Sequence, residues 1–296
     1  MDVVWDCVIV GGGAAGLSAA LVLGRARRRT LLVDAGHQSN MAAHGIGGLL
    51  GHDGRAPAEL YAMGRRELIA YPSVEVRTGD VVSWEQADGA FILELADGSR
   101  ESARRVVLAT GMDYRHPVLP GLTELWGRSV FHCPFCHGWE VRDEPLAVLA
   151  SGDLAVQKAL LLRGWSDDVV LLTDGSSDLA VEDRARLAAA GIAIDERPVA
   201  ELVASNGELA EIAFTDGGRI VRRGLLVVAP LHHRSGLAEQ LDAAPGVFAA
   251  GDVSAEMPSV AGAIAAGSQA AAAVVHSLVA DDYGLPSQQW RKHATV

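Results

Sequence analysis

Cysteine is scarce in this chain, with three in 296 residues. A secreted scaffold stapled by disulfides would carry more, so a reducing compartment is expected. Positive charge is also short: 25 Lys and Arg face 37 Asp and Glu, for a net charge of −12. Nucleic acid and anionic membrane both reward a basic surface and are not expected partners. The start, Met1-Asp2-Val3-Val4-Trp5-Asp6, lacks the basic character of a secretory leader. The apolar run at 8–10 is far too short to span a bilayer. The cytoplasm is the expected location. Repeats and low-complexity tracts are absent apart from an alanine-rich stretch at 270–275. What is plentiful is glycine, 33 residues, in a chain that is 49% hydrophobic. That composition suits an α/β protein long enough for two domains.

Two of the cysteines stand together as Cys133-Pro134-Phe135-Cys136, followed by His137 and Gly138. Two intervening residues let the sulfurs close a small disulfide ring. A charged or dipolar neighbour can lower one thiol pKa, so that thiolate is present near neutral pH. The pair reads as a redox centre. The alternatives are a structural disulfide or half a zinc site. Zinc wants a second CxxC or a Cys/His pair at short spacing. Here Cys7 stands alone, and His132 and His137 lie too close to the pair to complete a usual site. No metal is expected.

Cys7-Val8-Ile9-Val10 reads as a buried parallel strand, with Cys7 as a small core residue. Gly11-Gly12-Gly13-Ala14-Ala15-Gly16 and a helical run at 17–23 follow. Gly11 permits a tight turn, Gly13 the approach of a pyrophosphate, and Gly16 close helix–strand packing. The helix start at Ala14 and Ala15 offers free N–H groups to the phosphates. A second strand, 30–33, ends at Asp34-Ala35, about 20 residues after the glycines, where a carboxylate can accept hydrogen bonds from a ribose diol. A strand near 106–109 ends in Thr110-Gly111. Near the C-terminus another strand ends in Gly251-Asp252, whose carboxylate can bind a polyol hydroxyl such as the ribityl chain of a flavin. Gly262 and Ala263 open a small-residue helix whose first N–H groups can face a ligand. In this order the segments point to FAD rather than NAD.

With these marks the chain resembles the low-molecular-weight thioredoxin reductase family of flavoproteins over nearly its whole length. The glycine and acid marks (Gly11 to Gly16, Asp34, Ala109-Thr110-Gly111, Gly251-Asp252) are shared with many flavoproteins. The CxxC placed between them is specific to this family. The resemblance implies an α/β fold of two Rossmann-like three-layer domains. An FAD domain, 1–116 and 244–296, would be split by a smaller nucleotide-binding-like domain, 117–243, that carries the CxxC. It also implies a homodimer, with Cys136 facing the flavin and Cys133 exchanging with substrate sulfur.

The inserted domain departs from the reductase pattern. A strand at 146–149 runs into Ala150-Ser151-Gly152-Asp153-Leu154-Ala155, where the family has a second GxGxxA for NADPH. Ala150 replaces the glycine of the tight turn, where a Cβ is expected to be costly. A strand at 169–172 ends in Thr173-Asp174-Gly175, without the His-Arg-Arg type cluster that holds the 2′-phosphate. NADPH is therefore not expected. Asp174 would suit the ribose of NADH, so NADH stays open beside the main expectation of no nicotinamide cofactor. His137 stands where the reductases carry an Asp acid. An imidazole can take a proton from an incoming thiol, the alternative being a histidine bonded to backbone.

These departures, with the segment 44–57, look like the dithiol oxidases of the same superfamily. Those enzymes close an intramolecular disulfide in small natural products of the holomycin and gliotoxin kind. The likeness implies electron flow from a small-molecule dithiol to the CxxC, to FAD and then to O2. Cys133 would form the mixed disulfide, Cys136 would resolve it, and His137 would act as base. A reductase of a thioredoxin-like protein, driven by NAD(P)H or another donor, is the second reading, and a flavin-bound redox sensor the third. The Gln that reductases usually place before the last helix is replaced by Val260-Ala261-Gly262, which leaves only backbone contacts there. Elsewhere, 57–70 and 181–190 read as helices, and 74–78, 81–84 and 91–95 as a small antiparallel layer. The segment 225–229 reads as a strand, and His232-His233-Arg234 as an exposed loop. The tail 287–296, with Trp290, could pack on a partner subunit.

Overall fold

The computed structural model describes residues 4–87, 89–175, 177–237, 244–255 and 257–285. Its chain opens with β1 (Val4–Val10), α1 (Ala14–Arg25) and β2 (Thr30–Asp34). Then come α2 (Pro57–Leu68), β3 (Val74–Thr78), β4 (Val81–Ala87), β5 (Ala90–Leu95), β6 (Arg100–Leu108) and β7 (Met112–Tyr114). The middle of the chain holds α3 (Leu122–Leu125), β8 (Val130–Phe131), α4 (Pro134–His137), β9 (Leu146–Leu149), α5 (Asp153–Leu162) and β10 (Val169–Leu172). It continues through α6 (Val181–Ala189), β11 (Ala193–Asp195), β12 (Val199–Ser205), β13 (Glu208–Phe214), β14 (Arg219–Val221) and β15 (Gly224–Val227). The last elements are β16 (Leu231–His233), β17 (Val247–Ala249) and α7 (Val260–Tyr283).

These elements form two compact units. Unit 1 comprises Met1–Ser39, Ala58–Asp113 and His232–Val296, and unit 2 comprises Asn40–Pro57 and Tyr114–Leu231. The stretch Asn40–Pro57 lies outside the expected insert of 117–243 and groups with unit 2 through close backbone contacts. A Cβ on Gly47 would lie 2.6 Å from the Cys136 carbonyl oxygen, and one on Gly127 would lie 3.1 Å from the Ala42 Cβ. The tail 287–296 falls outside the described residues.

Unit 1 is built on a seven-stranded sheet in the order β3-β2-β1-β6-β5-β4, with β17 also on β6. β1, β2, β3, β6 and β17 run parallel, while β5 pairs antiparallel with β6 and β4 with β5. The expected separate antiparallel layer is therefore corrected: β3 is an edge strand of the parallel sheet, and β4–β5 extend the same sheet. The cause is the length of β6. Its first half, Arg100–Ala103, pairs with β5, and its second half, Val106–Leu108, pairs with β17.

Strand alternation sorts the core. Cys7, Ile9 and Leu32 pack into one cluster with α1 and α7, while Val8, Val10, Leu31 and Val33 face the other. A parallel strand covered on both faces needs such an unbroken apolar run. Each fully buried Leu, Ile or Val adds about 1.5–3 kcal/mol relative to exposure. Helix α7 is long and apolar enough to cross a membrane, yet Gly267, Ala270, Ala271, Val274 and Leu278 are buried in the same core as α1. Its ends are set by the sequence. The Ser259 hydroxyl accepts from the Gly262 N–H at 3.0 Å, and Gly284 closes the helix at φ +63°.

Unit 2 holds a five-stranded parallel sheet, β11-β10-β9-β15-β8, and a three-stranded antiparallel sheet, β12-β13-β14. The same alternation operates: Leu146, Val148 and Leu171 face one cluster, and Ala147, Leu149, Val170 and Leu172 the other. His232 and His233, expected in a loop, lie in the short strand β16, which pairs with β7.

Backbone meets backbone where α1 crosses α7. A Cβ on Gly267 would collide with the Ala15 carbonyl group, so neither helix has a flexible side chain that could yield. Gly267→Ala is expected to destabilise the protein by about 2–3 kcal/mol, the scale of overpacking a filled core. A thermal melt checks this, and an unchanged midpoint would contradict the close crossing.

Candidate redox site and flavin cradle

The C-terminal ends of the parallel strands in unit 1 carry the expected cofactor residues. Gly11 to Gly16 leave β1 and enter α1, and Asp34-Ala35 ends β2. Thr110-Gly111 follows β6, Gly251-Asp252 follows β17, and Gly262 and Ala263 lie in the first turn of α7. The carboxyl ends of an open parallel sheet are the general place for a dinucleotide. Hydrogen bonds tie these turns together: Gly11 N–H donates to the Val33 carbonyl at 2.8 Å and Ala109 N–H to the Val10 carbonyl at 2.8 Å.

The cradle has the shape a flavin dinucleotide needs. Gly11 sits at φ +108° with a would-be Cβ pressed on the Ala109 carbonyl, so only glycine turns the chain there. Over Gly13 the space is open, the nearest atom to a Cβ being the Gln38 Cγ at 3.8 Å. Gly251, at φ +83°, approaches the Ala15 methyl so closely that a Cβ would lie 2.8 Å from it. The Thr110 hydroxyl is buried without a hydrogen-bond partner among the described residues. A buried orphan hydroxyl costs free energy unless a ligand satisfies it. Burial holds the Asp252 carboxyl above the usual range, opposed by the charge of Arg234. A polyol hydroxyl donating to that carboxylate would offset the desolvation.

The thiol pair lies in unit 2. β8 delivers the chain to Cys133, an extended residue that caps α4, and Pro134 at the first helical position presets the turn. The sulfurs stand 2.6 Å apart, with the Cys136 thiol donating to the Cys133 sulfur. That bond, aided by the N–H groups of Cys136 and Phe135 and the Lys158 charge, holds the Cys133 thiol down at about 7, against burial. Cys136 is pushed the other way, by the same hydrogen bond and by burial. The pair is thus asymmetric, with Cys133 as the thiolate. Cys7 is fully buried in the core, and burial raises its pKa far beyond the usual range.

His137 stacks on Phe131, with ring centroids 5.8 Å apart and planes at 13°. Both ring nitrogens are buried without a well-aligned hydrogen bond among the described residues. The backbone carbonyls of Gly127 and Cys133 nevertheless lie close enough to act on the ring, so the reading of His137 as a histidine held by backbone stays open beside that of a base. Burial lowers its pKa, partly countered by the Glu140 charge and nearby carbonyls. His132 stacks on Tyr114 and Trp126 at 4.1 and 5.7 Å, and burial pushes its pKa down to about 4. Both imidazoles are consequently neutral at physiological pH, the form that can accept a proton. Gly138 lets Trp165 pack against the turn, since a Cβ there would lie 2.8 Å from the indole. Phe135 meets the same indole edge-on at 5.4 Å.

The sequence reading missed Trp165, Phe131, Gln38 and Arg65. The signal of Gly138 as a packing glycine was available; the pairing of Arg65 with Asp34 carries no short-range signal.

The second nucleotide loop, at the end of β9, differs from the first. Ala150 is buried with Ala155 and Ala159 at an ordinary φ, so the expected cost of a Cβ at that turn is not found. Position 150 has given up the positive φ that Gly11 keeps, and the turn carries its positive φ at Gly152 instead, at +65°. Asp174 sits at φ +54° and accepts the Val199 N–H at 2.7 Å, which ties it to the start of β12. Arg184 and Arg197, further along the chain, are engaged by Glu196 and Asp195 at 2.7 and 2.6 Å.

The thiol asymmetry has a direct readout. In the reduced protein, iodoacetamide should alkylate Cys133 with a midpoint near pH 7. In Cys136→Ala the midpoint should rise toward the ordinary thiol value of about 8.5, because the S–H donor is gone. Equal midpoints in the two proteins would remove the proposed asymmetry.

Comparison with known proteins places this geometry in a family. The pyridine nucleotide-disulphide oxidoreductase family matches residues 5–270. The thioredoxin reductase tcpT of Claviceps purpurea (strain 20.1) is 34% identical over 311 residues, covering 95% of this chain and 97% of that one. The thioredoxin reductase aclD of Aspergillus oryzae (strain ATCC 42149 / RIB 40) is 30% identical, covering 94% and 98%. The crystal structure of HlmI superposes with a TM-score of 0.89 at 39% identity, covering 95% and 94%. The chain belongs to the pyridine nucleotide-disulphide oxidoreductase family, as a thioredoxin reductase-like, FAD-dependent disulfide oxidoreductase.

Proposed function

We propose that the enzyme is a dithiol oxidase that closes an intramolecular disulfide in a small-molecule dithiol. The observation that carries this reading is the second nucleotide loop. Segment 173–178 contains no Lys or Arg, and of its two acids, Asp174 and Asp178, the first is occupied by the Val199 N–H. The guanidinium that reaches this turn, Arg184 on Ser177, is paired with Glu196, so a 2′-phosphate would have to share it with a carboxylate, and a ribose diol would compete with a backbone bond. These features disfavour NADPH and weaken the case for NADH.

The chemistry of the thiol pair fits oxidation of a substrate. In the oxidised enzyme Cys133 and Cys136 share a disulfide. His137, held neutral by burial, takes the proton of an incoming substrate thiol. The substrate thiolate attacks the Cys133 sulfur, the enzyme S–S bond breaks, and Cys136 leaves with the electron pair. The second substrate thiol, once deprotonated, attacks its partner sulfur and expels Cys133 as thiolate. The low pKa of Cys133 makes it a good leaving group. Substrate disulfide and enzyme dithiol result, with two electrons transferred. Resolution by Cys136, as first expected, belongs to the opposite, reductive direction. Bound FAD supplies the two-electron acceptor for the dithiol, with O2 as final oxidant and hydrogen peroxide as product. Gly11, Gly13, Ala14, Ala15 and Gly16 would hold its pyrophosphate, Asp34 with Ala35 its ribose, and Thr110, Gly111, Gly251, Asp252, Gly262 and Ala263 its flavin half. The partners in this reading are a small dithiol and O2, with the enzyme as a cytoplasmic homodimer.

The names of tcpT and aclD favour the second reading, reduction of a thioredoxin-like protein. Flavin absorbance under anaerobic conditions separates the two. Dithiothreitol should bleach the flavin, while NADPH and NADH should not on the same time scale. Rapid bleaching by either nucleotide would sink the oxidase reading.

A further inference from the structure

The acid proposed for the ribose carries a negative charge beside the loop proposed for a diphosphate. A Cβ on Gly12 would collide with the Asp34 carboxyl carbon, so the carboxylate lies directly against the glycine loop. Its side chain is only 9% exposed. Two like charges brought together at low solvation repel, and a buried carboxylate needs a partner of its own. The structure supplies one that sequence spacing does not reveal. The Arg65 guanidinium, from α2, pairs with Asp34 Oδ2. Gln38 Nε2 donates to Asp34 Oδ1 at 3.1 Å and reaches the Gly12 carbonyl at 3.5 Å. The Gly36 N–H donates to Oδ1 at 2.9 Å.

From this arrangement we infer that Arg65 and Gln38 are positioning residues for the dinucleotide: they fix and neutralise Asp34 so that one carboxylate can bind a ribose diol without repelling the adjoining diphosphate. The inference rests on the assignment of Asp34 to the FAD ribose. Arg65 supplies the compensating charge from a neighbouring helix, and its fork geometry suits a carboxylate. Gln38 is neutral and spans the acid and the glycine loop, which fixes their separation. Neither residue needs to touch the cofactor.

The test is FAD release from the holoenzyme, followed by the rise of flavin fluorescence on dilution at low and high salt. Arg65→Met should release FAD about tenfold faster, the loss of one charge-assisted contact discounted for partial exposure. Salt should partly reverse that increase, because screening weakens the repulsion between Asp34 and the diphosphate. A merely structural role would not produce this salt response. Arg65→Lys should restore release to near the wild-type rate. In the Asp34→Asn background, Arg65→Met should add nothing further, since the charge it offsets is gone. Faster release in Asp34→Asn together with wild-type release in Arg65→Met would overturn the clamp and leave the ribose assignment standing. Wild-type release in Asp34→Asn would overturn both. Should Arg65→Met fail to load FAD, Arg65→Lys decides: release as fast as in Asp34→Asn would contradict the charge role.

Discussion

The flavin domain depends on backbone meeting backbone without a side chain between. Gly16 lies against the Gly11 carbonyl, Gly267 against the Ala15 carbonyl, and Gly11 against the Ala109 carbonyl. These contacts lock the first turn of α1 to β1, to the strand-end at β6 and to α7. The cradle is therefore a rigid consequence of packing. Its turns keep their places because the core clusters on both faces of the sheet leave them no alternative.

Redox chemistry in unit 2 follows from a different constraint, the short helix that begins at Cys133. Two residues between the sulfurs bring them within 2.6 Å, and their mutual contact lowers the Cys133 thiol pKa while raising that of Cys136. Packing of Phe131 on His137 and of Trp165 on Gly138 keeps the turn and its imidazole in place. Among the described residues neither ring nitrogen has a well-aligned hydrogen bond, and burial keeps the ring neutral.

Much of this was legible in the sequence, because the governing signals are local. The strand–glycine–helix order at 7–23 places β1 and α1, and the CxxC spacing gives the redox pair. Asp34 and Gly251-Asp252 are recognisable because each ends a short apolar strand. What was not legible depends on partners distant in sequence. β6 is long enough to serve β5 and β17 in turn, so the expected antiparallel layer merges with the main sheet. Asn40–Pro57 looks like a loop of the flavin half, yet Gly47 packs on the Cys136 carbonyl within unit 2. Ala150 was expected to strain its turn, but the turn relaxes and the methyl joins the core. Arg65 lies on the helix after that loop, and only the fold brings it to Asp34.

The central claim concerns the direction of electron flow. A thiol pair with a low-pKa exchanging cysteine works in either direction; the nucleotide loop of unit 2 is the feature on which the proposed direction rests. With Asp174 bound to backbone and the Arg184 that reaches its turn paired with Glu196, the proposal takes the substrate dithiol as the source of electrons. Oxygen uptake by the FAD-loaded enzyme tests this most directly. Supplied with dithiothreitol in air and no nicotinamide, it should consume O2 in equimolar amount to the disulfide formed. Uptake that appears only when NADPH or NADH is added would contradict the account.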